Sequence, residues 1–318
     1  MPPVRRRILR RAIMSAELTG VELAPAERSR FNAIQNELAG LAADFRNNLL
    51  DATKAFSLLL TEPAQVDGLP QSLLAVTEMT ARQSGLTPTR ISGDGPWKIT
   101  LDAAVYLPFM RHCRDRNVRE QLYRAHIARA STAPFDNTPL TERIIALRRE
   151  FASLLGYSTF ADLSLAEKCA QKVQAVDELI AELAAASQAA SEREIKALNE
   201  FARSSGFGDD RLRPWDMPFW TERQREALYG YGEEELSSYF PFPRVLQGMF
   251  SLAEKLFGIV INAADGESPV WHPDVRFFRV NDRDGAPLAC FYLDPYSRPA
   301  TKSGGAWMNA FRTRDRTP

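Results

Sequence analysis

Apolar residues recur every three or four positions along most of this chain, which is the spacing of helices that bury one face. The first long series is Phe31, Ile34, Leu38, Leu41, Phe45 and Leu49. The second is Leu140, Ile144, Leu147, Phe151 and Leu154. The third is Val176, Ile180, Leu183, Ala190, Leu198 and Phe201, in a helix predicted over about 172–204. The spacing therefore predicts a mainly α fold with long amphipathic helices.

The second of these helices carries boundary signals at both ends. Thr138 precedes the apolar series and is predicted as the N-cap, with Glu142 placed to assist it. Gly156 follows the series and is predicted as the C-cap, because glycine adopts the left-handed backbone conformation that commonly ends a helix. These signals predict a helix that begins near residue 138 and ends near residue 156.

Beyond residue 270 the apolar period changes to two, which is the period of strands. The segment VRFFRVNDRDGAPLACFYLD predicts two strands around an Asp-Gly turn, and SGGAWM predicts a third. We therefore expect a small antiparallel sheet over about 270–308. This divides the chain into a helical region, 1–265, and a sheet region, 266–318. A short alternation in WKITLDAAVYLP predicts one more strand near residue 97.

The composition is that of an ordinary globular protein, with 45% hydrophobic and 25% charged residues. The 40 basic side chains balance the 40 acidic ones, which gives no reason to expect a nucleic-acid partner. No apolar run approaches the roughly 20 residues of a membrane span, so no membrane partner is expected. Cys113, Cys169 and Cys290 lie far apart and are interpreted as reduced thiols, which favours a cytoplasmic location.

The first residues, MPPVRRRILRRAIMSAE, carry five arginines and no acidic residue before Glu17. An arginine-rich and acid-poor beginning is typical of organellar transit peptides, so a mitochondrion or plastid is the alternative location. The other interpretation is a basic helix of the fold itself. In that helix Ile8, Ala12 and Met14 would lie in or near the buried stripe.

Motifs for common catalytic chemistries are missing from these residues. The sequence has no phosphate-binding glycine loop, no Gly-x-Ser-x-Gly turn and no Cys-x-x-Cys pair. None of His112, His126 and His272 begins a His-Glu-x-x-His zinc motif. The segment DRDG at 282–285 is interpreted as a hairpin turn, not as a calcium loop. We therefore assign no catalytic residue and no metal ligand from the sequence.

Several segments, taken in order, resemble the thimet oligopeptidase and oligopeptidase A family of zinc metallopeptidases. They are FNAIQNELAGLAADFRNNLLDAT, NVREQLYRAHIARAS, DNTPLTERIIALRREFASLLGYSTFADLSLAEKCA, RPWDMPFW, SSYFPFPRVLQGMFSLAEKLFGI and CFYLDPYSRPATKSGGAWM. In the second segment the resemblance is carried by Arg119, Glu120, Tyr123 and Arg129. Single segments are weakly specific, whereas the ordered series covers nearly the whole chain.

The resemblance implies a metalloendopeptidase that cuts short peptides in a channel between helical lobes. In that family zinc activates a water molecule, and a His-Glu-x-x-His helix that follows the Gly-Gly-Ala-Trp block binds the metal. These 318 residues contain no such motif, so zinc is implied as a cofactor without ligands in this chain. We expect the chain to resemble an internal fragment and to be catalytically incompetent alone.

The resemblance also implies a substrate-binding segment. Gly304, Gly305 and Ala306 are small enough to let the backbone of a peptide pair with this strand. The alternative is that the two glycines only allow close packing around Trp307. At Ser303 the family usually has arginine, so the contact that an arginine would make is in doubt.

Three side chains just before this segment are assigned to the same substrate-binding site. They are Tyr292, Tyr296 and Arg298. Arg298 is also placed to hold a turn by pairing with Asp294. The sequence therefore predicts a peptide-binding region of six residues, without a catalytic group.

A second function class remains open, namely a non-catalytic helical binding or scaffold protein derived from the oligopeptidase fold. A His-Glu-x-x-His motif in a continued reading frame would favour the enzyme, and a stop codon would favour the scaffold. The predicted sheet favours the enzyme, because its last short strand would leave an unprotected edge.

Overall fold

The computed structural model describes residues 2–86, 95–170, 172–232, 235–236, 238–296, 298, 302 and 308–310. The fold is mainly helical with a small antiparallel sheet near the C-terminal end, as the sequence predicts. The helices up to residue 154 are α1 (Pro3–Leu18), α2 (Pro25–Ala55), α3 (Gln71–Gln83), α4 (Ala103–His112), α5 (Arg116–Ile127) and α6 (Thr138–Leu154). They are followed by α7 (Phe160–Leu165), α8 (Val173–Ser204), α9 (Met217–Tyr229) and α10 (Phe242–Phe257). No helix in the described ranges is both long and apolar enough to span a membrane.

The predicted long helices exist, but the burial of their apolar stripes differs from the prediction. In α8 only Leu198 of the six stripe residues is buried, and Ile180 and Leu183 are 58% and 59% exposed. The reason is that an apolar stripe is buried only where another element packs against it. In α1 the predicted helix is present, yet Ile8 and Ala12 are exposed and Met14 is half-buried.

The two predicted cap residues of α6 are each displaced by one position from the caps that the structure shows. Thr138 is the first helical residue rather than the N-cap, and its backbone N–H donates to Asp136 Oδ1 at 2.9 Å. The preceding residue, Asn137, accepts a hydrogen bond from Asn48 and donates to a backbone carbonyl of α2, so its side chain joins two helices. The C-cap is Leu155, and the predicted residue, Gly156, follows it with a φ of +78°.

An apolar core cluster lies between α3, α4, α5 and a two-stranded sheet. Strand β1 (Leu58–Leu60) pairs antiparallel with β2 (Trp97–Ile99), and the sequence predicts only the second of them. The cluster includes the fully or almost fully buried residues Leu60, Trp97, Ile99, Leu101, Phe109, Met110, Cys113 and Leu122. Burial raises the pKa of Cys113 to about 12, so this thiol is inert at neutral pH.

A buried carboxylate joins α5 to the beginning of α9. Asp216 is 0% exposed and accepts two hydrogen bonds of 2.9 Å from Arg116. Arg119, also buried, donates to Asp216 Oδ1 at 3.1 Å and to the Cys113 carbonyl at 2.7 Å. The backbone N–H of Arg213 donates to the other carboxylate oxygen at 3.0 Å. These bonds compensate the Asp216 carboxylate for the hydration that it loses on folding.

The shifted pKa values of this group follow from burial and pairing. Burial alone would raise the pKa of Asp216, but hydrogen bonds from Arg116 and from the Arg213 backbone outweigh it and lower that pKa. Burial lowers the pKa of Arg119, and the Asp216 carboxylate opposes this change. Asp216 therefore stays ionised inside the fold.

The C-terminal sheet consists of β3 (Ile259–Ala263), β4 (Arg276–Asp282) and β5 (Pro287–Leu293), in the order β3-β4-β5. The predicted hairpin is confirmed, since Asp282 Oδ1 accepts the backbone N–H groups of Asp284 and Ala286 across the turn. Strand β3 is not predicted from the sequence. The predicted third strand, SGGAWM, lies almost wholly outside the described residues.

We expect Asp216→Asn to lower the free energy of unfolding by about 3–5 kcal/mol, because the buried Arg119 loses its counter-charge. Urea denaturation, monitored by circular dichroism, measures the free energy of unfolding. The matched control is Asp209→Asn, which removes the exposed partner of Arg116 and should cost only about 0–1 kcal/mol. Equal losses in the two variants would contradict the assigned role of the buried carboxylate.

Candidate functional site

Four residues around the end of β5 form a polar group, which we call the Asp294 cluster (Trp271, Asp294, Arg298 and Lys302). Trp271 Nε1 and Arg298 Nη2 donate to Asp294 Oδ2 at 3.1 and 2.5 Å. Lys302 Nζ lies 3.4 Å from Asp294 Oδ1. The hydrogen bond from Arg298 is the main reason why the pKa of Asp294 lies well below its usual range.

Lys302 also closes the backbone between residues 294 and 302. Its Nζ donates to the carbonyl of Asp294 at 2.6 Å and to that of Tyr296 at 3.0 Å. Its backbone N–H donates to the Arg298 carbonyl at 2.7 Å. The cluster thus fixes where the chain leaves the sheet, immediately before the predicted Gly-Gly segment.

Arg298 holds this turn, which confirms the predicted pairing with Asp294. Its side chain is only 15% exposed, and its guanidinium forms an ion pair with the Asp294 carboxylate. No described residue accepts a hydrogen bond from the buried Nη1 atom of Arg298. The role of Arg298 in substrate binding stays a prediction.

The two predicted tyrosines are partly exposed next to the cluster. Tyr292 packs on Trp271 and on Phe277, with ring centroids 5.2 and 4.9 Å apart, and its hydroxyl lies 2.5 Å from Ser268 Oγ. Tyr296 is more exposed, and its ring centroid lies 6.1 Å from that of Phe242. The structure therefore brings Tyr292 and Arg298 to the same cluster and leaves Tyr296 at its edge.

The remaining three predicted site residues, Gly304, Gly305 and Ala306, lie outside the described residues. Sequence reasoning missed Trp271 and Lys302 as members of the cluster. Trp271 is 23 positions from Asp294, so no local spacing connects them.

The described residues do not fit the zinc that the family resemblance implies. Within the described ranges, no group of three or more His, Cys, Asp or Glu side chains is placed to hold a metal ion. Each histidine faces a charged neighbour: His112 faces Arg223, His126 faces Arg129 and His272 faces Asp274. His126 also stacks on Tyr106, and burial together with Arg129 lowers the pKa of His126.

Comparison with known proteins gives a consistent result. The profile of Peptidase family M3 matches residues 109–317. The chain is 45% identical over 98% of its length to organellar oligopeptidase A, chloroplastic/mitochondrial, from Arabidopsis thaliana, and 44% identical to the probable cytosolic oligopeptidase A of that plant. It is 37% identical over 94% of its length to oligopeptidase A of Escherichia coli strain K12.

The match covers only part of each relative, namely 39%, 44% and 43% of their lengths. It is nevertheless continuous over almost the whole of this chain, and the profile match extends from α4 through the Asp294 cluster. On this basis the chain belongs to peptidase family M3.

Proposed function

We propose that this chain is part of a zinc metalloendopeptidase of the oligopeptidase A type, which in complete form hydrolyses short peptides. The observation that carries the proposal is the continuous similarity to three oligopeptidases A across 94–98% of the chain. Because the sequence contains no His-Glu-x-x-His motif, the proposal takes the zinc ligands from outside residues 1–318. The chain alone is then catalytically incompetent.

The contribution of the chain itself would be peptide binding near the end of β5. Among the described residues β5 pairs with β4 alone. The backbone N–H and C=O groups along its other side therefore have no strand partner within the described ranges. An extended peptide can bind such an edge by main-chain hydrogen bonds, which give affinity with little sequence preference. In the proposal, Tyr292 and Tyr296 flank the peptide, and the Asp294 cluster positions Gly304, Gly305 and Ala306 beside it.

A cytoplasmic location is proposed as well, with a mitochondrion or plastid as the alternative. The relatives named as organellar and cytosolic are almost equally similar, so their names do not decide between these locations. The proposal is supported by Arg11, which donates to the Glu167 carbonyl at 2.9 Å and so ties the basic helix α1 to the rest of the helical region.

The purified chain should bind a short peptide without hydrolysing it. A quenched fluorescent peptide measures hydrolysis, elemental analysis measures bound zinc, and Escherichia coli oligopeptidase A is the positive control. Stoichiometric zinc together with hydrolysis that a chelator abolishes would contradict the proposed incompetence. Absence of peptide binding would contradict the proposed contribution of this chain.

Substitution Gly305→Val should weaken peptide binding about tenfold, or ~1.4 kcal/mol, because a branched side chain blocks the approach of the peptide backbone. Fluorescence anisotropy of a labelled peptide measures the change. The control Gly40→Val introduces the same side chain in α2, where nothing lies within 4 Å of an added Cβ. Unchanged binding by Gly305→Val would favour a packing role for the glycines.

The Asp294 cluster should resist acid, because its stability is complete above the ordinary carboxyl pKa of 3.8 and is lost only as pH falls through the lowered value. Two-dimensional NMR of the Trp271 indole N–H, which donates to Asp294, follows the protonation of that carboxylate. The signal is assigned by its absence in the Trp271→Phe variant. We expect it to be constant from about pH 7 to about pH 4 and to shift below that range. Asp294→Asn should remove this shift and the exposed Asp284→Asn should retain it, whereas a midpoint near 3.8 would contradict the pairing.

Location is tested with the chain fused at its C-terminal end to a fluorescent protein in plant cells. We expect diffuse cytoplasmic fluorescence, both for the unchanged chain and for a variant with Arg5, Arg6 and Arg7 replaced by glutamine. Organellar fluorescence that this variant loses would establish the alternative.

A further inference from the structure

Helix α1 carries its apolar side chains on the side that faces solvent. Four of them are between 50% and 68% exposed, and we call them the apolar face of α1 (Val4, Ile8, Leu9 and Ile13). At 3.6 residues per turn, their spacing places all four within one half of the helix circumference. In a globular fold such a face normally packs on the core, whereas in α1 it is exposed.

The opposite side of α1 contacts the rest of the helical region. Met14 and Leu18 are half-buried and lie about one turn apart on that side. Leu18 lines a small cavity together with Leu154 and Leu155 at the end of α6. Arg11 donates to a backbone carbonyl just after α7 at 2.9 Å. These contacts hold the helix with its apolar face turned away from the fold.

The same helix is strongly cationic. Its one acidic residue, Glu17, lies in the last turn, and its five arginines all come before that residue. The five are exposed, and they are Arg5, Arg6, Arg7, Arg10 and Arg11. The whole chain has as many acidic as basic side chains, so this concentration of positive charge is local to α1. The charge favours a partner that is negatively charged.

The arginines border the apolar face. Going around the helix, Arg6 and Arg10 lie beside one edge of the face. Arg7 and Arg11 lie beside the other edge. Arg5 lies within the face, where the long apolar stem of its side chain allows the charge to extend outward. An apolar strip bordered by positive charge is the arrangement of helices that lie in the surface of a bilayer.

An anionic lipid surface fits this combination better than an anionic protein does. A helix face enters a fluid bilayer without a shape-matched groove, whereas a protein partner must supply such a groove. Guanidinium groups bind phosphates through two parallel hydrogen bonds, and lipid headgroups present phosphates in a dense layer. The anionic leaflet of a cell membrane also faces the cytoplasm, which is the proposed location of this chain.

We propose that α1 binds the surface of anionic lipid bilayers, with its apolar face among the first acyl carbons and its arginines on the lipid phosphates. The apolar runs of the sequence are shorter than a membrane span, but a helix that lies in the bilayer surface does not need such a run. The expectation of no membrane partner therefore applies to spanning segments. One short helix binds reversibly, so part of the population stays diffuse in the cytoplasm.

Co-sedimentation of the full 318-residue chain with vesicles tests the proposal. One preparation is phosphatidylcholine alone, and the other also contains phosphatidylglycerol. We expect the anionic vesicles to bind the chain about a hundredfold more tightly at low salt, and this preference to decrease as salt screens the arginines. Equal affinity for the two preparations, or no binding to either, overturns the inference.

A charge variant connects the lipid binding to α1. Joint substitution of Arg5→Gln, Arg6→Gln and Arg10→Gln should weaken binding to anionic vesicles about a hundredfold. The matched control removes the same charge from three exposed arginines elsewhere and should bind like the unchanged chain; its substitutions are Arg46→Gln, Arg193→Gln and Arg211→Gln. An equal loss in this control would assign the binding to the overall charge and overturn the role of α1.

The apolar face is tested separately. Ile8→Ser should weaken binding to anionic vesicles about tenfold, because an apolar side chain no longer enters the acyl region. Ile180→Ser in α8 is the matched control, since Ile8 and Ile180 are 63% and 58% exposed, and it should leave the affinity unchanged. Full retention of binding by Ile8→Ser would mean adsorption by charge alone and overturn the insertion of the apolar face. Circular dichroism checks that each variant is folded.

Hydrogen exchange locates the bound segment. The backbone amides of residues 4–13 should exchange more slowly in the presence of anionic vesicles than of neutral ones. Slower exchange confined to other parts of the chain overturns the inference. All of these outcomes leave the proposed peptide binding at β5 untouched, because that binding is measured without lipid and uses another region of the chain.

Discussion

The buried carboxylate of Asp216 is the interaction on which the helical region depends. It holds two arginines of α5 against the residue that immediately precedes α9, and α9 also packs on α4. Arg223 and Glu226 follow two to three turns later on the same helix. The positions of Arg223 and Glu226 are thus set by a charge group at the start of α9. Any shift of α9 would also change the distance between Arg223 and His112.

The helices are predictable from sequence because amphipathic periodicity is a local property. Strand β1 is missed because the apolar run around Leu58–Leu60 fits a helix as well as a strand, and only pairing with β2 distinguishes them. Strand β3 follows Gly258 directly, and its residues, IVINA, do not alternate between apolar and polar. Periodicity also cannot tell which part of a stripe is covered, so Ile180 and Leu183 are predicted buried and are exposed.

The candidate sites are less predictable than the fold, since they join residues that are distant along the chain. The Asp294–Arg298 pair is found from the sequence because its members are four positions apart. Trp271 joins that pair from 23 positions away, and Arg223 reaches His112 across 111 positions. Such contacts require the packed structure. The family, by contrast, is recognisable from the order of several segments, without any site geometry.

Helix α8 has a consequence for how the molecule loses its structure. Its 32 residues extend about 48 Å, yet Leu198 and Ala202, both near its C-terminal end, are its buried residues. An isolated helical stretch is only marginally stable in water, whereas a packed stretch shares the stability of the core. The two ends of one continuous helix therefore belong to different cooperative units, and fraying of the first turns leaves the junction with α9 intact.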